Sequence, residues 1–183
     1  MRKITFSINI TIDGYADHTS GIADDELHKF FADLLKDAGI VLLGRKTYEM
    51  MASYWPHARE DPKSTKSEIE FADRYNGIEK VVFSKTLKSV NWNNTTLSKR
   101  DLIDEVQKMK KQNGKSISAG SLSIASALME KNLIDEYWFL VHPVILGKGV
   151  HLFEGLNSRS NLSLIDTKVF GSGVVVLHYK NDK

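Results

Sequence analysis

Residues 40–49 read Ile40-Val41-Leu42-Leu43-Gly44-Arg45-Lys46-Thr47-Tyr48-Glu49. Four uninterrupted apolar residues predict a short strand buried on both faces, as parallel strands are. Gly44 follows, then a helical pattern with Tyr48, Met51 and Ala52 on one side. A strand that runs straight into a helix leaves the first helical N–H groups without partners, at the positive end of the helix dipole. An anion is favoured there. Gly44 lets a ligand approach the backbone closely. Arg45 and Lys46 add two cations, and Thr47 adds a hydroxyl. The same residues also suit an ordinary strand-to-helix turn with exposed basic side chains.

Towards the N-terminus, Ile4, Phe6, Ile8 and Ile10 alternate with Thr5, Ser7, Asn9 and Thr11. This predicts a strand over about residues 3–11, not the continuous apolar run of a signal peptide. Asp13-Gly14 marks a turn. A helix follows, with Asp24 as N-cap, Asp25 and Glu26 in its first turn, and Leu27, Phe30, Phe31, Leu34 and Leu35 on one face. Gly39 is placed to end it. Beyond the opening stretch, Pro56 and Pro62 bracket a loop. Residues 67–75 read as a short helix, 79–84 as a buried strand and 101–112 as a polar helix. Residues 116–118 form a short strand before a helix that Gly120 opens. Residues 135–142 form a strand carrying Tyr137, Trp138 and Phe139 in succession. Residues 162–170 and 174–180 form an antiparallel hairpin around Gly171-Ser172-Gly173. Alternating strands and helices predict a parallel sheet covered on both faces. The expected fold is a single α/β domain over 1–183, three-layered α/β/α, with a mixed, mostly parallel sheet and a C-terminal antiparallel hairpin.

Two further turns share the chemistry of the first. Ser118-Ala119-Gly120-Ser121-Leu122 again joins a strand to a helix through small residues. Parallel strands end on one side, so both helix N-termini are expected at one sheet edge, where they can hold two ends of a dinucleotide. Phe83-Ser84-Lys85-Thr86 ends a strand with hydroxyls and a cation. Each turn taken alone is also satisfied by local geometry.

Other chemistries lack their motifs. Cysteine is absent, which removes disulfides, thiolate metal sites and cysteine nucleophiles. The six histidines have no metal-ligand spacing; His142 and His178 read as structural. The G-x-G pairs at Gly147 and Gly171 lack the third glycine and the strand–helix context of a dinucleotide fingerprint. There is neither a P-loop nor a G-x-S-x-G elbow. A net charge of +2 argues weakly for nucleic acid. The lysines of 108–115 lack interleaved aromatics and read as a solvated face. No stretch is long and apolar enough to span a bilayer, so a cytoplasmic protein that binds neither membrane nor nucleic acid is expected.

Several segments recur together, in order, over almost the whole chain: Thr11-Ile12-Asp13-Gly14, Leu42 to Glu49, Val82 to Leu87, Ala119-Gly120-Ser121, Leu133 to Glu136 and His142 to Gly149. This combination resembles the dihydrofolate-reductase-like family, and most nearly the reductase domain of the bifunctional riboflavin-biosynthesis deaminase-reductase. The resemblance implies a three-layer fold with NADPH bound at the sheet edge. It implies that Arg45, Ser84 and Lys85 face the adenosine 2′-phosphate. Gly44, Lys46 and Thr47 would sit at the pyrophosphate. Ala119, Gly120, Ser121 and Leu122 would hold the pyrophosphate or nicotinamide end. The family commonly has two successive glycines where this chain has Ala119-Gly120.

The implied activity is hydride transfer from NADPH to a small heterocyclic or ribosylamino-pyrimidine acceptor such as 5-amino-6-(5-phosphoribosylamino)uracil, with a pterin as the alternative. Folate reductases carry an acid on the helix after the first strand. Asp25, Glu26 and His28 stand in that region, and Glu26 is taken as the catalytic acid. Asp13 is taken to orient substrate, although it also suits a simple turn before Gly14. A cofactor-binding protein without turnover is a rival reading. A homodimer is expected from the resemblance and from the consecutive Tyr137, Trp138 and Phe139, which make both faces of one strand apolar.

Overall fold

The computed structural model describes residues 1–19, 21–157 and 159–183. Among these the chain forms β1 (Ile4–Thr11), α1 (Asp25–Lys36), β2 (Ala38–Gly44), α2 (Arg45–Ala52), α3 (Lys66–Gly77), β3 (Glu79–Phe83), β4 (Thr95–Ser98), α4 (Leu102–Lys111), β5 (Ser116–Ala119), α5 (Leu122–Glu130), β6 (Glu136–His142), β7 (Leu162–Val169) and β8 (Val175–Asn181). The eight strands make one sheet in the order β4-β3-β2-β5-β1-β6-β8-β7. The pairings from β4 to β6 are parallel, and β8 runs antiparallel to both β6 and β7. This is the expected mixed α/β sheet. Among the described residues no helix is long and apolar enough to cross a membrane.

One expectation about local structure changes, and one strand forms that the pattern does not predict. Gly39 does not end the first helix. That helix stops at Lys36 with Asp37 as its cap, and Gly39 lies inside β2 at a shift of register against β5. The edge strand β4 escaped the hydrophobic pattern because its four residues, Thr-Thr-Leu-Ser, carry a single aliphatic side chain. It is made by its ladder to β3, from Lys80↔Thr95 to Phe83↔Ser98.

Successive residues of a strand point to opposite faces, and the core divides accordingly. Ile4, Phe6, Ile40, Leu42, Ile117, Tyr137 and Phe139 pack with Val106 and Met109 of α4 and Ile124, Ala125 and Leu128 of α5. On the other face Val41, Leu43 and Val82 pack with Ala32 of α1, Tyr48 of α2 and Phe71 and Tyr75 of α3. A third cluster joins Leu27 of α1 to Leu140, Phe170, Val174 and Val176. The expected double apolar face of β6 resolves inside one chain. Tyr137 and Phe139 enter the first core, while Trp138 stacks on His178 at 3.9 Å between ring centroids.

Lys80 is fully buried on β3. Its Nζ donates to the carbonyls of Tyr75 and Ile78, both at 2.8 Å, and lies 4.6 Å from the centre of the Trp92 ring. It thereby satisfies carbonyls at the end of α3 that have no helical partner. Burial pushes its ammonium down to about 8, whereas the unfolded chain holds that proton to about 10.4. Between these values the unfolded state binds more protons, so native stability rises with pH. The difference in urea unfolding free energy between the parent and Lys80→Met should therefore grow by on the order of 2 kcal/mol from pH 7 to pH 10. A difference that stays constant would refute this account of the lysine.

Candidate functional site

β2 and β5 are adjacent and parallel, with Leu42 beside Ala119. The helix after β2 packs on one face of the sheet and the helix after β5 on the other. Their carboxyl ends therefore open a crevice at a topological switch point, the usual ligand position in open α/β sheets. The helices differ in how their N-termini are satisfied. Asp24 caps α1, Thr65 forms a capping box on α3, and Asp101 caps α4. The N-caps of α2 and α5, Gly44 and Ser121, make no side-chain cap hydrogen bond. Both uncapped ends are at the crevice.

The two turns are tied to each other. The Gly44 N–H donates to Ser121 Oγ and the Gly120 N–H to the Leu42 carbonyl, each at 2.8 Å. Ala119 turns its methyl into the core below α5, so only its backbone belongs to the crevice. Gly120 has an ordinary φ, and its glycine requirement is one of space. A Cβ there would stand 2.7 Å from Val41 Cγ1 and 3.0 Å from Leu43 Cδ2. One strand further out, Gly44 pairs with Phe83, which puts Arg45 and Ser84 just beyond neighbouring strand ends. Ser84 Oγ accepts from the N–H groups of Thr86 and Leu87 and folds a tight turn that leaves Lys85 exposed. Arg45 pairs with Glu49 at 3.1 Å, both about half exposed. Exposed pairs of this kind are worth at most about 1 kcal/mol, so the guanidinium is easily redirected. The three basic or glycine-containing turns thus line up across β3, β2 and β5, as the sequence pattern anticipates.

The crevice continues into a cleft of about 1730 Å³, larger than the ~300–1,000 Å³ of a single-ligand pocket. Lys46, Thr47, Gly120, Ser121 and Leu122 line it on the crevice side. Its floor is the polar side of the central strands: Thr5, Ser7 and Asn9 of β1, Ser118 of β5 and Trp138 of β6. Leu27, His28 and Phe31 of α1 face it together with Met51 and Trp55. The floor is visible in the sequence only as the polar half of the alternation in β1. That strand is central, where a buried parallel strand is ordinarily apolar on both faces. Alternation on a central strand signals a polar cavity. Trp55 and Trp138 carried no local signal, because only tertiary packing brings them to the cleft.

The two carboxylates assigned to catalysis are both engaged by other parts of the chain. Asp13 is bound by the Thr11 hydroxyl at 2.6 Å and the Gly147 N–H at 2.7 Å, and it also accepts from the Leu146 N–H. The Thr11 hydroxyl and then the Gly147 N–H hold its carboxyl down to about 2. It clamps the loop after β6 onto the turn after β1 and does not line the cleft. Glu26 accepts from the Gly171 N–H at 3.0 Å and pairs with Lys168, which turns it towards the β7–β8 hairpin. A helix rotates about 100° per residue, so the cleft side of α1 falls on Leu27, His28 and Phe31, not on Glu26. His142 is buried at the end of β6. Its Nδ1 accepts from the Ile22 N–H at 2.9 Å and its Nε2 lies 3.1 Å from Asn9 Oδ1. Burial pushes its imidazole below the ordinary range. His178 lies 3.3 Å from Glu136. Among the described residues no three His, Cys, Asp or Glu side chains gather as metal ligands would.

Comparison with known proteins agrees with this architecture. Residues 2–176 match the family described as the RibD C-terminal domain. The uncharacterized protein YyaP of Bacillus subtilis (strain 168) is 32% identical, over 97% of this chain and 94% of its own length. A putative riboflavin biosynthesis protein from Shewanella sp. PV-4 superposes with a TM-score of 0.76 at 20% identity, covering 100% of both chains. Dihydrofolate reductase from Enterococcus faecalis, complexed with NADP(H), superposes with a TM-score of 0.64 at 12% identity, covering 99% of this chain and 97% of its own.

Proposed function

The chain belongs to the RibD C-terminal domain family, and on that premise we propose that it is an NADPH-dependent reductase acting on a ribosylamino-pyrimidine or related heterocycle. The observation that carries this reading is the switch-point crevice, where two helix N-termini without side-chain caps open into a cleft with room for a cofactor and an acceptor together. The residues fit a nicotinamide dinucleotide phosphate. The free N–H groups of α2 and α5, with Lys46 and Thr47, would bind its pyrophosphate. Arg45, Ser84 and Lys85 would bind the 2′-phosphate. Ser121 holds the two turns at fixed separation through its bond to Gly44. When bound, the reduced cofactor supplies a hydride; the chain positions it and shields it from water. The hydroxyls of Thr5, Ser7 and Ser118 suit a polar, ring-bearing acceptor on the cleft floor, and Trp138 offers an aromatic edge. A dihydrofolate reductase that resembles this chain in fold is complexed with NADP(H), which supports the choice of cofactor.

The direct test is titration of the full chain with NADPH, followed by nicotinamide fluorescence and by protection against thermal unfolding. Saturable binding is expected at the same concentrations in both measurements. No signal up to millimolar NADPH would overturn the reading.

We also propose a homodimer, formed through the free edge of β7. That strand ends the sheet and exposes Leu164, Ile165 and Val169. An unpaired apolar edge is a ready template for another strand. Light scattering at micromolar concentration should give twice the chain mass of 20.7 kDa; the chain mass itself would count against the dimer.

A further inference from the structure

We propose that His28 donates the proton to the acceptor as that acceptor is reduced, an inference that rests on the reductase reading above. The first turns of α1 carry Asp24, Asp25, Glu26 and His28. Each carboxylate is already engaged away from the cleft. Asp24 caps its own helix at the Leu27 N–H, Asp25 accepts from Ser67 Oγ of α3, and Glu26 holds the β7–β8 hairpin. His28 is the titratable side chain that α1 turns into the cleft, between Leu27 and Phe31. Its ring is half-buried and packs edge-on to Trp55 and at a tilt to Phe71, with centroids 6.0 and 6.4 Å away. No hydrogen bond joins either ring nitrogen to another described residue. Two aromatic rings thus fix the imidazole while its nitrogens stay available to a ligand.

Several other groups around the cleft are less suited to the task; Glu136, for one, is already paired with Lys3 and His178. Thr5, Ser7 and Ser118 are neutral hydroxyls that do not release a proton near pH 7. Asn9 is engaged by His142. His18 and His151 lie exposed on loops at the mouth. Imidazole is the side chain that ordinarily changes charge near neutral pH, which suits a general acid. The charged group that acts on His28 is Asp25 on its own helix; Lys46 on α2 and Asp17 on the loop after β1 line the same cleft, and α3 and the segment after α2 present Phe71 and Trp55.

The step balances. A carbon of a C=N or C=O bond in the acceptor gains the hydride. The π pair moves to the heteroatom, and the imidazolium N–H of His28 breaks as its proton joins that atom. The acceptor is reduced by two electrons and the dihydronicotinamide is oxidised by two. Neutral His28 is then reprotonated from water.

The experiment uses the full chain with NADPH and 5-amino-6-(5-phosphoribosylamino)uracil. Single-turnover NADPH oxidation is followed from pH 5 to 9, NADPH affinity by fluorescence, and the His28 ring nitrogens by NMR. The parent's rate should fall with rising pH; His28→Gln should slow oxidation at pH 7 by about 100-fold or more, abolish that fall, and leave NADPH affinity unchanged. His28→Phe keeps the packing on Trp55 and Phe71 and should be equally slow; recovery of the rate by Phe would show a packing role and overturn the proposal. Adding the pyrimidine to parent protein loaded with NADP⁺ should shift the His28 ring signals. Near-parental oxidation by the Gln variant with the pH limb intact, or ring signals unmoved by the pyrimidine, would also overturn it. Failure of NADPH to bind would instead sink the reductase reading, and the ring signals would then be scored with the pyrimidine alone.

Discussion

Gly120→Val is expected to destabilise the fold by about 3 kcal/mol or more, with loss of cofactor binding as a consequence. The added Cβ alone would stand 2.7 Å from Val41 Cγ1, 3.0 Å from Leu43 Cδ2 and 3.2 Å from the Leu42 carbonyl. Val41 and Leu43 belong to a close-packed core, and overfilling such a core costs about 1–3 kcal/mol and occasionally more. Valine adds two further carbons to that contact. The Gly120 N–H also holds the Leu42 carbonyl, so strand separation would break the tie between the two turns. Gly44→Ala makes the informative contrast. Its Cβ would meet Ser123 Oγ at 2.7 Å and otherwise nothing nearer than 3.8 Å, and a serine hydroxyl can rotate away. That variant should keep parental stability and lose NADPH affinity, because the methyl stands at the uncapped end of α2. Urea unfolding of both, beside the exposed control Lys111→Ala, separates the two glycines. Parental stability in Gly120→Val would mean that β2 and β5 are not packed as described. The sequence alone suggests a different outcome at Gly120, a glycine kept for the ligand at a sheet edge with little effect on the fold; it is the packing of Val41 and Leu43 that reverses the order.

NADPH should bind more tightly than NADH by well over tenfold, and Arg45→Ala combined with Lys85→Ala should remove most of that preference. Both residues follow strand ends held in register by the Gly44↔Phe83 pair. A hydrogen bond between a cation and a phosphate oxygen contributes about 1.5–3 kcal/mol, and 1.4 kcal/mol is a factor of ten in affinity. Arg45 must leave Glu49, at little cost for an exposed pair. The double variant should leave NADH affinity almost unchanged, since that cofactor has no 2′-phosphate. Parental protein with equal affinity for both cofactors would exclude this placement of the 2′-phosphate. A double variant that weakens NADH as much as NADPH would place these side chains on the pyrophosphate instead.

The local signals in the chain were reliable where the cause was local. Asp24 caps α1 because an aspartate oxygen can reach the Leu27 N–H one turn on, whatever the rest of the chain does. The alternation of β1, the apolar run of β2 and the glycine-bearing turns at Gly44 and Gly120 are likewise properties of neighbouring residues. Together they define the parallel α/β sheet and its ligand-binding edge. Gly39 and β4 were misjudged for a related reason: a glycine beside a helix end resembles a cap until the strand pairing is known, and a polar edge strand exists only through its neighbour.

The direction of each side chain was not a local property, and there the tertiary structure decided. Asp13 and Glu26 had the right chemistry in plausible places, but loop and hairpin donors 134 and 145 residues away in sequence claim their oxygens. An unpaired carboxylate at a fold boundary takes whichever N–H the tertiary packing brings near, and no sequence spacing encodes that. The same holds for Thr5, Ser7 and Asn9, whose polarity was legible but whose burial depended on β5 and β6 flanking β1. The sequence by itself determined the fold class, the strand-to-helix turns and the family. Only the tertiary structure determined which of the residues between 24 and 28 faces the cleft, because one residue along a helix is a rotation of about 100°, and the angle at which α1 lies on the sheet is set by Leu27, Phe30 and Phe31 packing against strands and hairpin distant in the chain.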